Sequence, residues 1–588
     1  MNLQLGHLIS FWFLFTISGA IVWRLKKVFF IDVHTSTVTK IIVFIMVLLS
    51  SVLLTFLIRK RANAYIEVLV ERLRPLIWIF GSLVFLSSLI VLYNMRWEYN
   101  TSLPAILGNN KASINRPNII LVTFDALASR EMSLYGYHRK TTPFIDEWAR
   151  DAHVFTNVKS ASNFTTSATA SLMTGKRVWT HRVFQLEGSK PINSDLESLP
   201  HLLKKNGYFN MAFIVNPHTS VKVLGMSDSF DIAPLAIEFS ESHSLFGWKF
   251  GVVESLLYRF FGDRIRLHNW LLQRNFVLDR FINLISRNLS VTEVPPEDAF
   301  NRFIDILDKR PPQPFFAWIH LFPPHDPYLP SGAYKGYFKQ SDELRTYKEQ
   351  EAIRMEAYRY TFQYKPFPDE MKPLVNHLRN YYDEFVRYCD DTFRDFIMEL
   401  QRRGIIDNTV IILSSDHGES FEHGYFTHGG PFLYEDVVSV PLIIKEPHQE
   451  EGRVINDPIE QIDIPPTILD YAGIGIPSWM EGRSLMPLIE GKALAPKMLF
   501  SMVLEKNPVN APITKGTVAV WDGDYKLIYY IEKGESLLFD LKTDPQESRD
   551  IKGEALDVAE RLQGVITGAL RDKDIHSRDS GIINKSDK

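Results

Sequence analysis

Four short apolar runs, each rich in β-forming residues, alternate with helical patterns from about residue 115 onward. They are IILVTF (119–124), MAFIV (211–215), FFAWIH (315–320) and VIILSS (410–415). Short runs without polar alternation are typical of parallel strands that are buried on both faces. We therefore predict an α/β fold in which helices flank a mainly parallel central sheet. Such sheets bind ligands at the carboxyl ends of their strands, so polar residues at those ends are the first candidates for a functional site.

Two of the four runs end in carboxylates. Asp125 directly follows the first run, and Asp416 and His417 directly follow the last one, with a glycine after them. Carboxylate and imidazole ligands from two strand ends could hold a divalent metal ion. The spacing alone leaves an alternative equally open, in which Asp125 caps the following helix and Asp416 holds a turn.

A hydroxyl-rich stretch, ASNFTTSATASLMTGK, occupies residues 161–176. Hydroxyl groups often satisfy the free N–H groups at the start of a helix, which is the simplest interpretation of this stretch. The second interpretation is a hydroxyl nucleophile at a helix start, where the helix dipole favours developing negative charge. Thr165 and Thr166 are the two candidates for that nucleophile.

Residues 1–100 contain three long apolar runs without a charged residue, at 8–23, 41–58 and 76–93. Each approaches the roughly 20 residues that a helix needs to cross a membrane. We therefore predict a membrane region with three transmembrane helices before the α/β domain. Basic residues follow both the first and the second run, so the charge bias does not indicate an orientation.

The composition excludes several classes of protein. Lysine and arginine together number 65, against 69 aspartate and glutamate residues, so the basic excess of a nucleic-acid-binding protein is missing. Cys389 is the one cysteine in the sequence, which excludes an intrachain disulfide and a thiolate metal cluster.

Several motifs along the chain resemble the sulfatase family of the alkaline phosphatase superfamily. They are the strand and Asp125 with the hydroxyl-rich stretch behind them, HLFPPHDPY (320–328), SSDHGESFEHGYFTHGG (414–430) and IDIPPTILDYAGI (462–474). The resemblance runs from about residue 115 to about residue 551. It implies a sulfatase-like catalytic domain at 115–495 and a small C-terminal α+β subdomain at 496–565. The polar sequence that follows predicts a flexible tail at 566–588.

The resemblance also implies roles for individual residues. The family's nucleophile lies nine residues before the threonine of the Thr-Gly pair, and counting back from Thr174 identifies Thr165. Asp125, Asp416 and His417 take the positions of metal ligands, together with Thr165. His325 and His428 fall where family members contact the oxygens of the transferred group. We interpret three other histidines as structural, namely His181, His320 and His423.

The sequence departs from the family pattern at the nucleophile. Sulfatases carry a cysteine or serine there, which is oxidised to formylglycine, and threonine cannot give that aldehyde because its β-carbon bears a methyl group. Ser167 and Thr169 replace the family's proline and arginine, and Ala126 replaces a second aspartate. A threonine nucleophile is instead similar to the membrane-anchored members that transfer phosphoethanolamine or phosphoglycerol.

We therefore predict a metalloenzyme with one divalent ion, for which a four-ligand oxygen and nitrogen set favours Zn²⁺ or Mn²⁺ over Ca²⁺. The main predicted function is a membrane-anchored phosphotransferase or phosphodiesterase that acts on a phosphoester donor, including a lipid-linked one. The alternatives are a sulfuric ester hydrolase and a non-catalytic scaffold that retains the fold. The resemblance places the catalytic domain on the outer face of the cytoplasmic membrane.

Residues 244–287 combine large aromatic side chains with six arginines. A basic, aromatic and amphipathic segment can lie on a membrane surface and bring a lipid-linked substrate towards Thr165. The alternative is a helical layer that packs on the sheet.

Overall fold

A computed structural model of the protein describes most of the chain beyond residue 115. The described ranges are 116–184, 196–234, 295–330, 332–338, 347–361 and 367–579, with short helical pieces before residue 83, the longest at 45–57. The chain divides into two units, Met1–Asn109 and Asn110–Lys588.

The second unit contains thirteen strands within its described residues. They are β1 (Asn118–Asp125), β2 (His153–Phe155), β3 (Val158–Lys159), β4 (Phe209–Ile214), β5 (Phe315–Pro324), β6 (Thr409–Ser415), β7 (Leu442–Lys445), β8 (Arg453–Ile455), β9 (Ile459–Glu460), β10 (Leu499–Val503), β11 (Thr517–Asp522), β12 (Tyr525–Tyr530) and β13 (Glu535–Asp540). Its helices are α1 (Pro143–Trp148), α2 (Thr165–Thr174), α3 (Val178–His181), α4 (Leu199–Lys205), α5 (Pro296–Leu307), α6 (Tyr347–Thr361), α7 (Lys372–Arg402), α8 (Glu435–Val438), α9 (Ile464–Tyr471), α10 (Met486–Ile489) and α11 (Leu556–Asp579).

Seven strands form the central sheet, in the order β4-β5-β1-β6-β7-β2-β8. The four strands that the sequence predicts, β4, β5, β1 and β6, lie side by side and are parallel. They are almost entirely buried, which explains their continuous apolar sequences. The predicted α/β fold with a mainly parallel sheet is confirmed.

The register of this sheet brings the predicted site residues to one edge. Phe124 of β1 pairs with Ser415 of β6, so Asp125 and Asp416 follow neighbouring positions on adjacent strands. On the other side of β1, Asp125 pairs with Pro324, the residue before His325. Three distant segments of the chain therefore deliver polar side chains to the same edge.

The helix α2, which carries Thr165, is buried along its whole length. Its small alanine, serine and threonine side chains let it lie inside the domain without steric conflict. The helix ends at Gly175, which has φ +64° and whose added Cβ would lie 3.1 Å from the Met480 side chain. The hydroxyl-rich stretch is therefore an internal helix rather than a surface loop.

The C-terminal part forms a four-stranded antiparallel sheet, β10-β11-β12-β13, covered by α11, in agreement with the predicted α+β subdomain. The helix α11 continues to Asp579, past residue 566, where the sequence predicts that a flexible tail begins. It does so because Ile566 and Leu570 are buried in the cluster that joins this helix to the sheet.

Within the residues that the structure describes, no helix is both long and apolar enough to cross a membrane. The predicted spans at 8–23 and 76–93 fall mostly outside those residues, whereas 41–58 is described as helix at 45–57, and the structure supports none of the three as a membrane span. The aromatic and basic segment 244–287 also lies outside the described residues. The location on the outer face of the cytoplasmic membrane stays a prediction.

Candidate active site and metal centre

Asp125, Asp416 and His417 converge at the carboxyl edge of the sheet. Each offers a ligand atom, and these atoms lie within 4.8 Å of one another, in a fully buried position. The Nε2 atom of His417 is 3.6 Å from Oδ1 of Asp125 and 3.5 Å from Oδ2 of Asp416. The structure thus brings together three of the four side chains that the sequence predicts as metal ligands.

Hydrogen bonds from the backbone and from the Asn216 side chain orient the two carboxylates. Ala126 has a left-handed conformation, with φ 61°, and its N–H donates to Oδ1 of Asp416 at 3.1 Å. The N–H of His417 donates to the same oxygen at 2.8 Å. The side-chain amide of Asn216 donates to Oδ2 of Asp125 at 2.6 Å. One oxygen of each carboxylate is therefore fixed by the protein.

The other two oxygens fit a cation. Oδ1 of Asp125 and Oδ2 of Asp416 are buried and have no hydrogen-bond partner among the described residues. Burial and the nearby Asp125 charge raise the pKa of Asp416 to about 7. Burial also acts to raise the pKa of Asp125, but the charge of His325 and the nearby His320 and His417 imidazoles lower it overall. A divalent ion would pair with both oxygens and offset the repulsion between the carboxylates.

Thr165, the predicted nucleophile, begins α2 next to this cluster. Its Oγ1 lies 3.2 Å from Nε2 of His417, and the residue is 7% exposed. The preceding residue, Phe164, holds the N-cap position without a side-chain cap. Thr166 differs, because its hydroxyl donates to the backbone oxygen of His218 at 3.0 Å. Geometry therefore favours Thr165 over Thr166 as the hydroxyl that faces the candidate metal ligands.

His325 and His428 form the opposite wall of the site. Their ring centroids are 4.6 Å apart, and the ring of His428 lies 4.3 Å from that of His417. Burial acts to lower the pKa of His325, but the charges of Asp125 and Glu419 outweigh it and raise this pKa. Burial and the His325 charge lower the pKa of His428 to about 3. The surroundings therefore favour the protonated form of His325 and the neutral form of His428.

Three further residues contact the site, and the sequence analysis did not assign them to it. Asn216 orients Asp125, as described above. Glu419 lies 3.0 Å from Nδ1 of His428. His320, for which the sequence predicts a structural role, has its Nε2 3.7 Å from Oδ2 of Asp125. Asn216 could have been found, because it lies just beyond the end of β4, as Asp125 and Asp416 lie at the ends of their strands.

The sequence of this protein is similar to those of known proteins. The Sulfatase family model matches residues 117–474, and the model "N-sulphoglucosamine sulphohydrolase, C-terminal" matches residues 421–571. N-acetylglucosamine-6-O-sulfatase of Bacteroides thetaiotaomicron is 23% identical over 520 residues, which cover 77% of this chain and 86% of the relative. Arylsulfatase K of Xenopus laevis is 24% identical over 485 residues, covering 77% and 82%.

A solved structure resembles the described fold. Phosphonate monoester hydrolase of Agrobacterium radiobacter has a TM-score of 0.57 at 19% identity, and the match covers 78% of this chain and 96% of that one. At this identity the likeness concerns the fold alone. Since the Sulfatase model spans more than half of the chain, the protein is a hydrolase of the sulfatase family, within the alkaline phosphatase superfamily.

Proposed function

We propose that this protein hydrolyses a sulfuric ester, with the hydroxyl of Thr165 as the nucleophile. The names of its relatives, an N-acetylglucosamine-6-O-sulfatase and an arylsulfatase, support sulfuric esters as the substrate class. These relatives favour hydrolysis over the membrane-anchored phosphotransfer that the sequence analysis predicts as the main function.

The observation that carries the proposal is the position of the Thr165 hydroxyl. It lies 3.2 Å from His417, beside two partnerless carboxylate oxygens and at the start of a buried helix. The helix dipole and the exclusion of water both strengthen electrostatic stabilisation of an oxyanion at this position. A threonine side chain at this place is suited to attack on a tetrahedral ester.

The candidate metal site would assist this attack. Asp125, Asp416, His417 and Thr165 would hold one divalent ion, and three oxygens with one nitrogen favour Zn²⁺ or Mn²⁺ over Ca²⁺. Such an ion supplies Lewis-acid stabilisation of negative charge and lowers the pKa of a bound hydroxyl.

The chain's own residues account for the remaining chemistry. Attack by Oγ1 of Thr165 forms a bond to sulfur and breaks the bond from sulfur to the ester oxygen. The proton of the hydroxyl passes to a neutral imidazole, for which His428 is the candidate. His325, whose protonated form is favoured by its carboxylate neighbours, stabilises the non-bridging oxygens and gives a proton to the departing alcohol. In the second step water attacks sulfur and gives a proton to His325, the bond from sulfur to Oγ1 of Thr165 breaks, and the proton held by His428 returns to Oγ1.

A phosphoester is the second candidate substrate, and the identity of residue 165 favours it. Threonine cannot form the formylglycine that sulfatases use, and a threonine alkoxide is a competent nucleophile towards phosphorus. The same two-step scheme then passes through a phosphothreonine, which water or an acceptor alcohol resolves.

One set of assays tests both candidates. The full-length protein, supplied with Zn²⁺ or Mn²⁺, is assayed on sulfate-ester, phosphomonoester and phosphodiester reporters beside its Thr165→Ala and Thr166→Val variants. We expect turnover of the sulfate ester, loss of turnover in Thr165→Ala and retention in Thr166→Val. Turnover of phosphoesters alone would replace the first candidate with the second. Full activity of Thr165→Ala would overturn the nucleophile assignment for both.

A further inference from the structure

Asn163 links the segment that carries Thr165 to the segment that carries His428. It precedes Thr165 by two residues, between β3 and α2, and it is completely buried. Its Nδ2 atom donates to the backbone oxygen of Gly430 at 3.2 Å and to that of Phe432 at 2.6 Å. Both oxygens follow His428 closely in the chain, so a single side chain joins the two segments.

The chemistry of these contacts defines the orientation of the Asn163 amide. Nδ2 carries two hydrogens, and each of the two backbone oxygens accepts one of them. The reverse orientation would place the amide oxygen against two other oxygens, neither of which can donate to it. Both donors of the side chain are therefore used to hold the segment after His428.

That segment, residues 428–432, forms a turn that we call the histidine turn. Gly429 and Gly430 have φ values of 80° and 68°, a left-handed backbone that glycine adopts without strain. The hydroxyl of the buried Tyr425 donates to the backbone oxygen of Gly429, and its ring centroid lies 4.3 Å from that of Phe432. Buried side chains thus donate to the backbone oxygens of Gly429, Gly430 and Phe432.

The chain before Asn163 is itself held in place. The N–H of Ala161 donates to Oε1 of Gln461 at 3.2 Å, and its carbonyl accepts from the N–H of Met502 at 2.9 Å. Nε2 of Gln461 donates to the backbone oxygen of Asp416 at 3.0 Å. Because these bonds tie its backbone to the strand end at Asp416, Asn163 gives the histidine turn a fixed point of attachment.

The separation of Thr165 and His428 depends on this attachment. Oγ1 of Thr165 lies 3.2 Å from Nε2 of His417, and the His417 ring lies 4.3 Å from that of His428. The ring of Phe164 packs near the turn, since a Cβ added at Gly429 would lie 3.9 Å from it. Proton transfer between a hydroxyl and an imidazole requires the two atoms within about 3 Å of each other, so a shift of the turn by about 1 Å would impair it.

We propose that Asn163 is a positioning residue, which sets the place of His428 relative to the nucleophile through the backbone of the histidine turn. This inference rests on the proposed function, in which Thr165 attacks and His428 takes its proton, and it holds for a sulfate and a phosphate ester alike. Because Asn163 acts through His428, its contribution to kcat should vanish when His428 is replaced.

A double-mutant cycle in the full-length protein tests this, on the reporter ester with the highest turnover. Asn163→Ala should lower kcat by about tenfold to a hundredfold with little change in KM, because the histidine turn loses its attachment. His428→Gln should lower kcat by about a hundredfold or more. Asn163→Ala added to His428→Gln should cause little further loss of kcat, whereas it should lower Tm by the same amount in both backgrounds.

Asn210→Ala is the matched control. Asn210 is also completely buried, and its Nδ2 donates to the backbone oxygens of Pro200 at 2.6 Å and Ser229 at 2.8 Å. It lies near the start of β4, at the end of the sheet opposite to the candidate active site. This variant should lower Tm about as much as Asn163→Ala and leave kcat nearly unchanged.

If Asn163→Ala does not fold, Asn163→Ser takes its place in the cycle, because its hydroxyl keeps one donor and should lower kcat in the same direction by a smaller factor. The inference is wrong if kcat is unchanged in the Asn163 variant, if the loss of kcat is the same in both backgrounds, or if Asn210→Ala lowers kcat equally. Full kcat in His428→Gln would instead refute the proposed role of His428, and this inference with it.

Discussion

The Nδ1 atom of His428 lies 3.0 Å from Oε2 of Glu419, a carboxylate that is completely buried. The other oxygen of Glu419 accepts a hydrogen bond from the hydroxyl of Tyr328 at 2.8 Å. Tyr328 therefore fixes one oxygen of Glu419, and the other oxygen orients the ring of His428. With Nδ1 occupied, Nε2 is the nitrogen of His428 that remains for a substrate.

Glu419→Ala should lower kcat by about tenfold to a hundredfold, with a smaller change in KM. The reason is that His428 loses the partner that orients its ring. Removal of supporting carboxylates around metal sites lowers activity by a similar factor. Steady-state kinetics on the best reporter ester measures both parameters.

Glu419→Gln is the matched variant for this prediction. Its amide oxygen can still accept from Nδ1 of His428, so kcat should recover most of the loss. An unchanged kcat in Glu419→Ala, or an equal loss in both variants, would contradict a positioning role.

Removal of metal should destabilise the protein, because Asp125 and Asp416 then face each other without a cation. Thermal melts in EDTA, followed by addition of Zn²⁺, Mn²⁺ or Ca²⁺, measure the effect. A ligand at about 100 times its Kd stabilises the folded state by about 2.7 kcal/mol, which gives a readily measured rise in Tm.

Asp416→Asn separates metal binding from other effects of the added salts. This variant removes one of the two repelling charges, so in EDTA its Tm should equal or exceed that of the wild type. The rise in its Tm on addition of metal should be much smaller than in the wild type. An equal rise in both proteins would exclude Asp416 as a ligand.

The position of the site could be predicted from the sequence because it depends on strand ends. Parallel buried strands are apolar along their length, so the first polar residue after each strand marks the functional edge. Asp125, Asp416 and His417 follow this rule. His320 does not, since it ends the run FFAWIH but lies within β5, which continues to Pro324. Its approach to Asp125 depends on the register that pairs it with Thr123 of β1.

Other features required the three-dimensional structure. The burial of Glu131 depends on packing between segments that are distant in sequence, since Arg379 of α7 lies near it, and no local pattern indicates it. The length of α11 also could not be predicted, because its polar C-terminal sequence predicts a frayed tail. Burial of Ile566 and Leu570 against the C-terminal sheet extends the helix instead.

The C-terminal sheet is joined to the catalytic domain by a buried ionic network around Lys526. The Nζ atom of Lys526 lies 2.6 Å from Oε1 of Glu547 and 3.1 Å from Oε1 of Glu435. Lys526→Met should lower the free energy of unfolding by about 3–5 kcal/mol, because it removes the cationic partner of the buried Glu547 carboxylate, whereas Glu435 keeps its pair with Lys159. Urea denaturation measures this change.

Lys542→Met serves as the control for Lys526→Met, since Lys542 is exposed and its nearest carboxylate, on Asp524, is 4.0 Å away. Exposed ion pairs contribute about 0–1 kcal/mol, so this variant should unfold at nearly the wild-type urea concentration. Equal stability of the two variants would mean that the Lys526 network does not stabilise the packing of the C-terminal sheet on the catalytic domain.

His181 should make the protein less stable in mild acid. Its ring is buried, and Nδ1 accepts a hydrogen bond from the N–H of Val183 at 3.0 Å, so the proton of the neutral ring lies on Nε2, 2.9 Å from Oγ of Ser171. Burial and the Lys176 charge lower the pKa of His181 from 6.5 to about 3.

Between these two pH values the unfolded chain binds a proton at His181 that the folded protein does not, so the free energy of unfolding falls as the pH falls. The slope contributed by this residue should be about 1 kcal/mol per pH unit near about pH 5. Urea denaturation of the wild type and His181→Gln at several pH values isolates it, because the other titrating groups are common to both proteins. Plotted against pH, the free energies of unfolding of the two proteins should run parallel above about pH 7 and converge below it. Parallel profiles throughout the acid range would show that the folded protein accommodates a protonated His181.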